Sequence, residues 1–260
     1  MSPSNHPELW RRLLAEYLGS LILAAVVIGS GIAAQSLSPN ALGLELFENA
    51  AATAAGLFVI ILMFGPISGA HFNPVVSLVD AAFGGITWRH AGAYVMAQVA
   101  GCTSGAIVAN LMFSKVAVSI STNHRATAAH ALSEVVATIG LLLVIFALVR
   151  TGRASSAPAA VGAYIGAAYF FTSSTSFANP AIAVGRMFSN TFAGIAPSSV
   201  PAFVGAEALG GALAFGLIHL LYPGVTKADA GRVVVPHGGD EIESEIGHSK
   251  IATESPPPTT

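Results

Sequence analysis

Two Asn-Pro dipeptides, in Asn73-Pro74-Val75 and Asn179-Pro180-Ala181, pair a side-chain amide with a helix start. Asn is a good helix N-cap and Pro is favoured at the first helical position, so each opens a helix whose first N–H groups lack partners. The apolar stretch after each is only two or three turns long, too short for a bilayer core of about 30 Å. Half-helices meeting at mid-membrane are how a bilayer protein builds a polar site or pore. Face to face, the two starts would focus positive potential and aim two amide donors into a lumen. Water or a hydroxylated solute accepts such hydrogen bonds, whereas a cation meets a barrier.

The other candidate groups are carboxyls. Glu16 and Glu134 sit inside apolar stretches, where an ionisable group is costly and needs a partner. One reading makes them structural and the other a proton relay in a carrier. Their matched places near helix starts in two halves of the chain favour the structural one. No metal-ligand cluster, nucleophile-base arrangement or phosphate-binding glycine loop is present in a suitable setting, so neither an enzyme nor a bound cofactor is expected.

Positioning such groups requires a membrane. Hydrophobic residues make up 53% of the 260-residue chain and charged ones only 9%, far below the quarter usual in soluble domains. A net charge of −2 gives no reason to expect nucleic acid. Six stretches approach or reach spanning length: about Leu13–Ala34, Asn49–Phe64, His90–Phe113, Ala129–Val149, Ala157–Phe171 and Val200–Tyr222. The fifth is short unless it extends back through Ser155. Residues 65–85 and 172–196 are the re-entrant segments. The first apolar run is a full span, read as a retained helix rather than a signal peptide. Cys102 lies in an apolar stretch and reads as a small buried residue.

The halves repeat. Glu16 pairs with Glu134, Asn73 with Asn179, and Gln98 with Glu207, at separations of 118, 106 and 109 residues. Three spans per unit force the second copy to enter from the opposite side, so the repeats are inverted. The expected division is an N-terminus over 1–10, a first repeat over 11–114, a connecting loop over 115–128, a second repeat over 129–222 and a disordered tail over 223–260. With both termini cytoplasmic, eight Lys/Arg fall inside and three (Lys115, Arg125, Arg186) outside, which favours that orientation.

The run Ser68-Gly69-Ala70-His71-Phe72-Asn73-Pro74-Val75-Val76, with Ser176-Phe177-Ala178-Asn179-Pro180-Ala181, resembles the two signatures of the aquaporin, or major intrinsic protein, family. Val75 stands where Ala is usual. The resemblance covers about residues 10–222. It implies an all-α membrane protein, a barrel of six transmembrane helices plus two re-entrant half-helices, usually a tetramer with one pore per subunit. It also implies that backbone carbonyls of Gly69, Ala70, His71 and of Ser174 to Ser176, Thr175 included, line the pore. Glu16 and Glu134 would hold those loops through backbone N–H groups, with Gln98 and Glu207 as similar braces. The His71 ring could act as a pH-sensitive gate, although a pore-lining backbone role is the simpler reading.

One departure stands out. The family normally carries Arg three residues after the second Asn, and here that position is Ile182. Counting from the motifs places the other filter positions at Thr53, Ser176 and Ala167, the last moving to Ala168 if the following loop has a gap. Thr, Ala, Ser and Ile would make a wide, weakly polar constriction without a guanidinium. Arg186, one turn beyond Ile182 on the same helical face, is expected to carry positive charge in the outer vestibule, or else to snorkel to headgroups. The second-half sequence from Phe171 through Phe188 also resembles a bacterial branch associated with arsenic-resistance genes. Together these imply a passive channel in the inner membrane for small uncharged solutes: water, glycerol-like polyols, and arsenite or related metalloid hydroxides. A proton-coupled carrier is the alternative.

Overall fold

The structure is a computed structural model that describes residues 7–222. Helix α1 spans Leu9–Leu37, α2 Leu42–Ser68, α3 Pro74–Phe83, α4 Trp88–Met112, α5 Ala128–Arg150, α6 Ala157–Phe171, α7 Pro180–Arg186 and α8 Val200–Leu221. Five of these are long and apolar enough to cross a membrane by themselves. The sixth span is α6, only 15 residues, but a 3₁₀ turn at Ala154–Ser156 runs directly into it. This is the backward extension through Ser155 that the sequence requires. The segment 1–10 is described only from residue 7, and the proposed tail over 223–260 lies outside the described residues.

Each short helix begins where the sequence places it, for a local reason. Asn73 stands in extended conformation with Oδ1 accepting from Val75 N at 2.9 Å. Asn179 does the same for Ala181 N at 3.0 Å and Ile182 N at 3.3 Å. Helix α2 ends at Gly69, whose φ of 85° is one that Gly adopts without strain and other residues resist. The chain then turns back toward mid-membrane, and α3 returns to the face it left. Segment 172–179 and α7 repeat this from the opposite face.

Close helix approach depends on small residues, as in many membrane bundles. On α4, Gly101 and Gly105 face the backbone carbonyls of Tyr17 and Leu21 on α1, and a Cβ at either would overlap that oxygen. On α8, Gly210 stands 109 positions after Gly101, and a Cβ there would lie 2.8 Å from Val135 O on α5. The α1/α4 and α5/α8 pairs are therefore built alike. These contacts bring the two re-entrant loops together between the helices.

Candidate pore

The loops before the two Asn-Pro pairs share an unusual backbone. Ala70 and Phe72 have positive φ, and so do Ser176 and Ala178, each 106 residues later. Gly69 and Thr175, also 106 apart, have positive φ as well, and left-handed conformations are unfavourable for side-chain-bearing residues and persist only when their surroundings hold them. Buried carboxyls do so. Glu16 accepts from His71 N at 3.0 Å and Phe72 N at 2.7 Å, and also from Ser68 Oγ at 2.6 Å and Gln98 Nε2 at 2.8 Å. Glu134 accepts from Phe177 N at 3.0 Å and Ala178 N at 2.7 Å. Glu207 accepts from Asn179 N at 2.9 Å, while Gln98 Nε2 also reaches Ser77 Oγ at 2.9 Å. All four side chains are fully buried.

The two halves lock across the centre. Asn73 Nδ2 donates to Ala178 O at 2.6 Å, and Asn179 Nδ2 donates to Phe72 O at 2.8 Å. Each amide has two N–H groups, so this crossed pair leaves one donor per Asn for the lumen. Both Asn residues line a cavity whose walls are otherwise mostly aliphatic, with Leu23, Val27, Leu57, Leu141, Ile145 and Val161 among them. The residues after each Asn stay out of it alike: Val75 and Ala181 are buried without lining the cavity, and neither Pro lines it.

A match to the Major intrinsic protein family model covers residues 3–176, ending just before the second Asn-Pro. The chain is 49% identical over 214 residues to "Aquaglyceroporin AqpS" of Rhizobium meliloti, spanning 82% of this chain and 91% of that protein. It is 32% identical to "Aquaporin NIP1-4" of Oryza sativa over 80% of this chain and 77% of that one. The chain belongs to the major intrinsic protein family. A solved aquaglyceroporin structure from Plasmodium falciparum aligns with a TM-score of 0.61 at 20% identity, over 81% of this chain and 96% of that one, and supports the fold. The chain is thus an all-α, multi-pass member of an aquaporin-type channel family, with two half-helices in inverted repeats.

Against that fold, three of the four positions expected at the constriction, Thr53, Ser176 and Ile182, face the cavity. Ala167 does not. It is exposed on the outer side of α6, and Ala168, though buried, is absent from the cavity wall. The inward face of α6 is Val161, Ile165 and Tyr169, spaced by four as a helix requires. Counting back from the second Asn-Pro went two residues too far because the loop between has no helical periodicity to fix it. The Tyr169 and Thr53 hydroxyls are 3.1 Å apart, so a phenol and a hydroxyl meet at this level.

Arg186 also departs from the expectation. It is 3% exposed and lines the same cavity, rather than standing in an open vestibule or reaching to headgroups. Its guanidinium carbon sits over Phe177, 3.5 Å from the ring centre, and its Nε donates to Ala193 O. Arg125 approaches the same ring at 5.6 Å while donating to Gly194 O and Phe192 O. A guanidinium is therefore present on the wall despite Ile182. Of the residues expected to contribute carbonyls, Ala70, His71 and Ser176 line the cavity, and Gly69, Ser174 and Thr175 do not. Tyr169 and the stacked Phe177 were the residues missed. Their only sequence signal was four-residue spacing on α6 and proximity to the second motif.

Proposed function

We propose that this chain is a passive channel for small uncharged hydroxylated solutes: water, glycerol-like polyols, and arsenite or related metalloid hydroxides. The observation that carries it is a lumen with aliphatic walls and a short series of polar groups. These are the free N–H of Asn73 and Asn179, the Thr53–Tyr169 hydroxyl pair, and the guanidinium of Arg186. Such a wall solvates hydroxyls on one side of a solute and carbon on the other. Arg186 and Arg125 supply positive charge at the outer end, which opposes cation entry. The name of the Rhizobium relative, an aquaglyceroporin, supports solutes beyond water. The resemblance to the arsenic-associated branch supports trihydroxy metalloids, which are sterically akin to glycerol.

Glu16 and Glu134 are occupied with the loop N–H groups, which supports the brace reading over a carrier's proton relay. The remaining elements of the reading are a homotetramer in the inner membrane, both termini cytoplasmic, and repeats over 11–114 and 129–222 joined by 115–128. The deciding experiment is flux into proteoliposomes with water, glycerol and arsenite for the native chain, Ile182→Arg and Arg186→Ala. The reading expects linear, non-accumulating flux of all three solutes, narrowing toward water in Ile182→Arg. It also expects ion leakage to rise in Arg186→Ala. Water flux without solute flux in the native protein overturns the solute assignment, and saturable uphill uptake overturns the channel.

A further inference from the structure

Three successive backbone carbonyls after α7 are held by two arginines from different parts of the chain. Phe192 and Ala193 are the central residues of a turn closed by Gly194 N–H to Thr191 O at 2.9 Å. Arg125, on the segment joining α4 to α5, donates from Nη2 to Phe192 O at 3.1 Å and from Nε to Gly194 O at 2.9 Å. The carbonyl between them, Ala193 O, takes the Nε–H of Arg186. Both guanidiniums also approach one ring, Phe177, which lines the cavity. Neither arginine has a carboxylate in ion-pair contact among the described residues.

The place of Arg186 therefore depends on Arg125. A long Arg side chain has many rotamers, and among the described residues that of Arg186 makes a single hydrogen bond, so its guanidinium stands where Ala193 O and the Phe177 ring allow. Its terminal N–H groups are left for the cavity it lines. Where Ala193 O points follows from the peptides on either side, and one planar guanidinium binding both neighbouring carbonyls fixes them together. Lys could offer an ammonium to the same carbonyls, but not in a fixed plane. Arg125 is itself anchored away from the lumen. Its backbone N–H and that of Ala126 donate to the buried Ser199 Oγ at 2.9 and 3.2 Å, and its own carbonyl meets His130 Nδ1 at 2.6 Å. The turn keeps other ties, from Asn123 Nδ2 to Thr191 O at 2.8 Å and from Ala196 N to Asn123 O at 2.8 Å. Losing the fork thus leaves the loop folded and releases the peptide that carries Ala193 O.

We propose, on the reading of Arg186 as a group that solutes meet, that Arg125 is a positioning residue for solute selection. By clasping the carbonyls on either side of Ala193, it sets where the Arg186 guanidinium stands in the lumen. Arg125 does not line the cavity, so it acts only through Arg186 and Phe177. A fixed guanidinium takes up space and presents its donors at set angles, which favours the smaller solute beside it. Released, it discriminates less, and glycerol gains on water. The segment that joins the two repeats is thereby a working part of the filter, although it lies outside both Asn-Pro motifs.

The test is the glycerol-to-water flux ratio in proteoliposomes, corrected for empty vesicles, which does not depend on how much of the protein is folded. Arg186→Ala should raise the ratio most. Arg125→Lys keeps the positive charge and breaks the fork, and should raise it by at least about twofold, the smallest coupling expected within one hydrogen-bond network. In the Arg186→Ala background, Arg125→Lys should add nothing. A merely structural role would scale both fluxes together; a native ratio in Arg125→Lys therefore overturns the proposal, as does a falling one. A further rise in the double variant shows that Arg125 acts on its own and also overturns it. Should Arg125→Lys fail to fold, Ser199→Ala, which loosens the Arg125 backbone, must raise the ratio in its place, and an unchanged ratio there is decisive against. An unchanged ratio in Arg186→Ala leaves Arg125 nothing to position and sinks the proposal, while native glycerol flux in the same vesicles keeps the channel reading alive. Native water flux without glycerol flux overturns the solute assignment instead. The proposal then requires Arg186→Ala and Arg125→Lys both to admit glycerol, and falls if either does not. Folded native protein that passes neither sinks both.

Discussion

The two re-entrant loops share a backbone and differ in what surrounds it. Both carry three left-handed residues at matching positions, both start a half-helix at Asn-Pro, and both hang from a fully buried glutamate. Around the first loop, Glu16 satisfies four donors and connects through Gln98 and Ser77 to a titratable pair, His71 and Asp80. Around the second, Glu134 satisfies two, Glu207 adds one, and the nearby charge is cationic, from Arg186 and Arg125 on either approach to Phe177. Repeat symmetry thus fixes how the chain is folded back. The side chains that break the symmetry decide what each end of the lumen can do.

Removing the glutamates tests that asymmetry most severely. Glu16→Ala leaves four buried donors without their acceptor, and each costs roughly 1–3 kcal/mol. Glu134→Ala strands two backbone N–H groups. The first should therefore lower thermal stability in detergent more than the second; equal losses would mean that the networks are not distinct. Next come the helix contacts. Gly101→Ala and Gly210→Ala each press a methyl into a carbonyl on the neighbouring helix, at a cost of about 1–3 kcal/mol. Gly216→Ala, with open space around its Cβ position, is the control and should melt like the native chain.

A smaller loss is expected at the centre. Asn73→Ala and Asn179→Ala each remove one cap and one cross-loop hydrogen bond, about 1–2 kcal/mol together. The two should be alike in melting temperature, since this is where the halves are most alike. The smallest structural effect belongs to Tyr169→Phe, which keeps the ring and removes the hydroxyl facing Thr53. Stability should change by no more than about 1 kcal/mol, while the glycerol-to-water flux ratio changes. An unchanged ratio would remove Tyr169 from the constriction.

Much of this was legible because duplication writes the same local chemistry twice. An Asn followed by Pro caps and starts a helix wherever it lies, so both half-helices were readable from dipeptides alone. The six spans followed from runs of apolar residues, with ends extended by a turn where capping and loop contacts, not hydropathy, stop the helix. Glu16 and Glu134 were readable as structural because they repeat between the halves near helix starts, and the resemblance to the family implied that they brace the loops.

The filter was less legible. Which face of α6 turns inward depends on helix rotation, and rotation is set by packing against α2 and α5, so Ala167 was assigned where Tyr169 stands. The place of Arg186 was hidden for a related reason. Its aromatic support, Phe177, and its carbonyl acceptor, Ala193, lie on irregular backbone on either side of α7. The pairing of His71 with Asp80 joins residues nine apart across a left-handed loop and a helix turn, a geometry that no periodicity encodes. Sequence determined the solvent, the repeat and the two helix starts, because those follow from local composition and capping. Tertiary structure decided which side chains share the lumen, because that depends on rotations and loop paths fixed only when the helices pack.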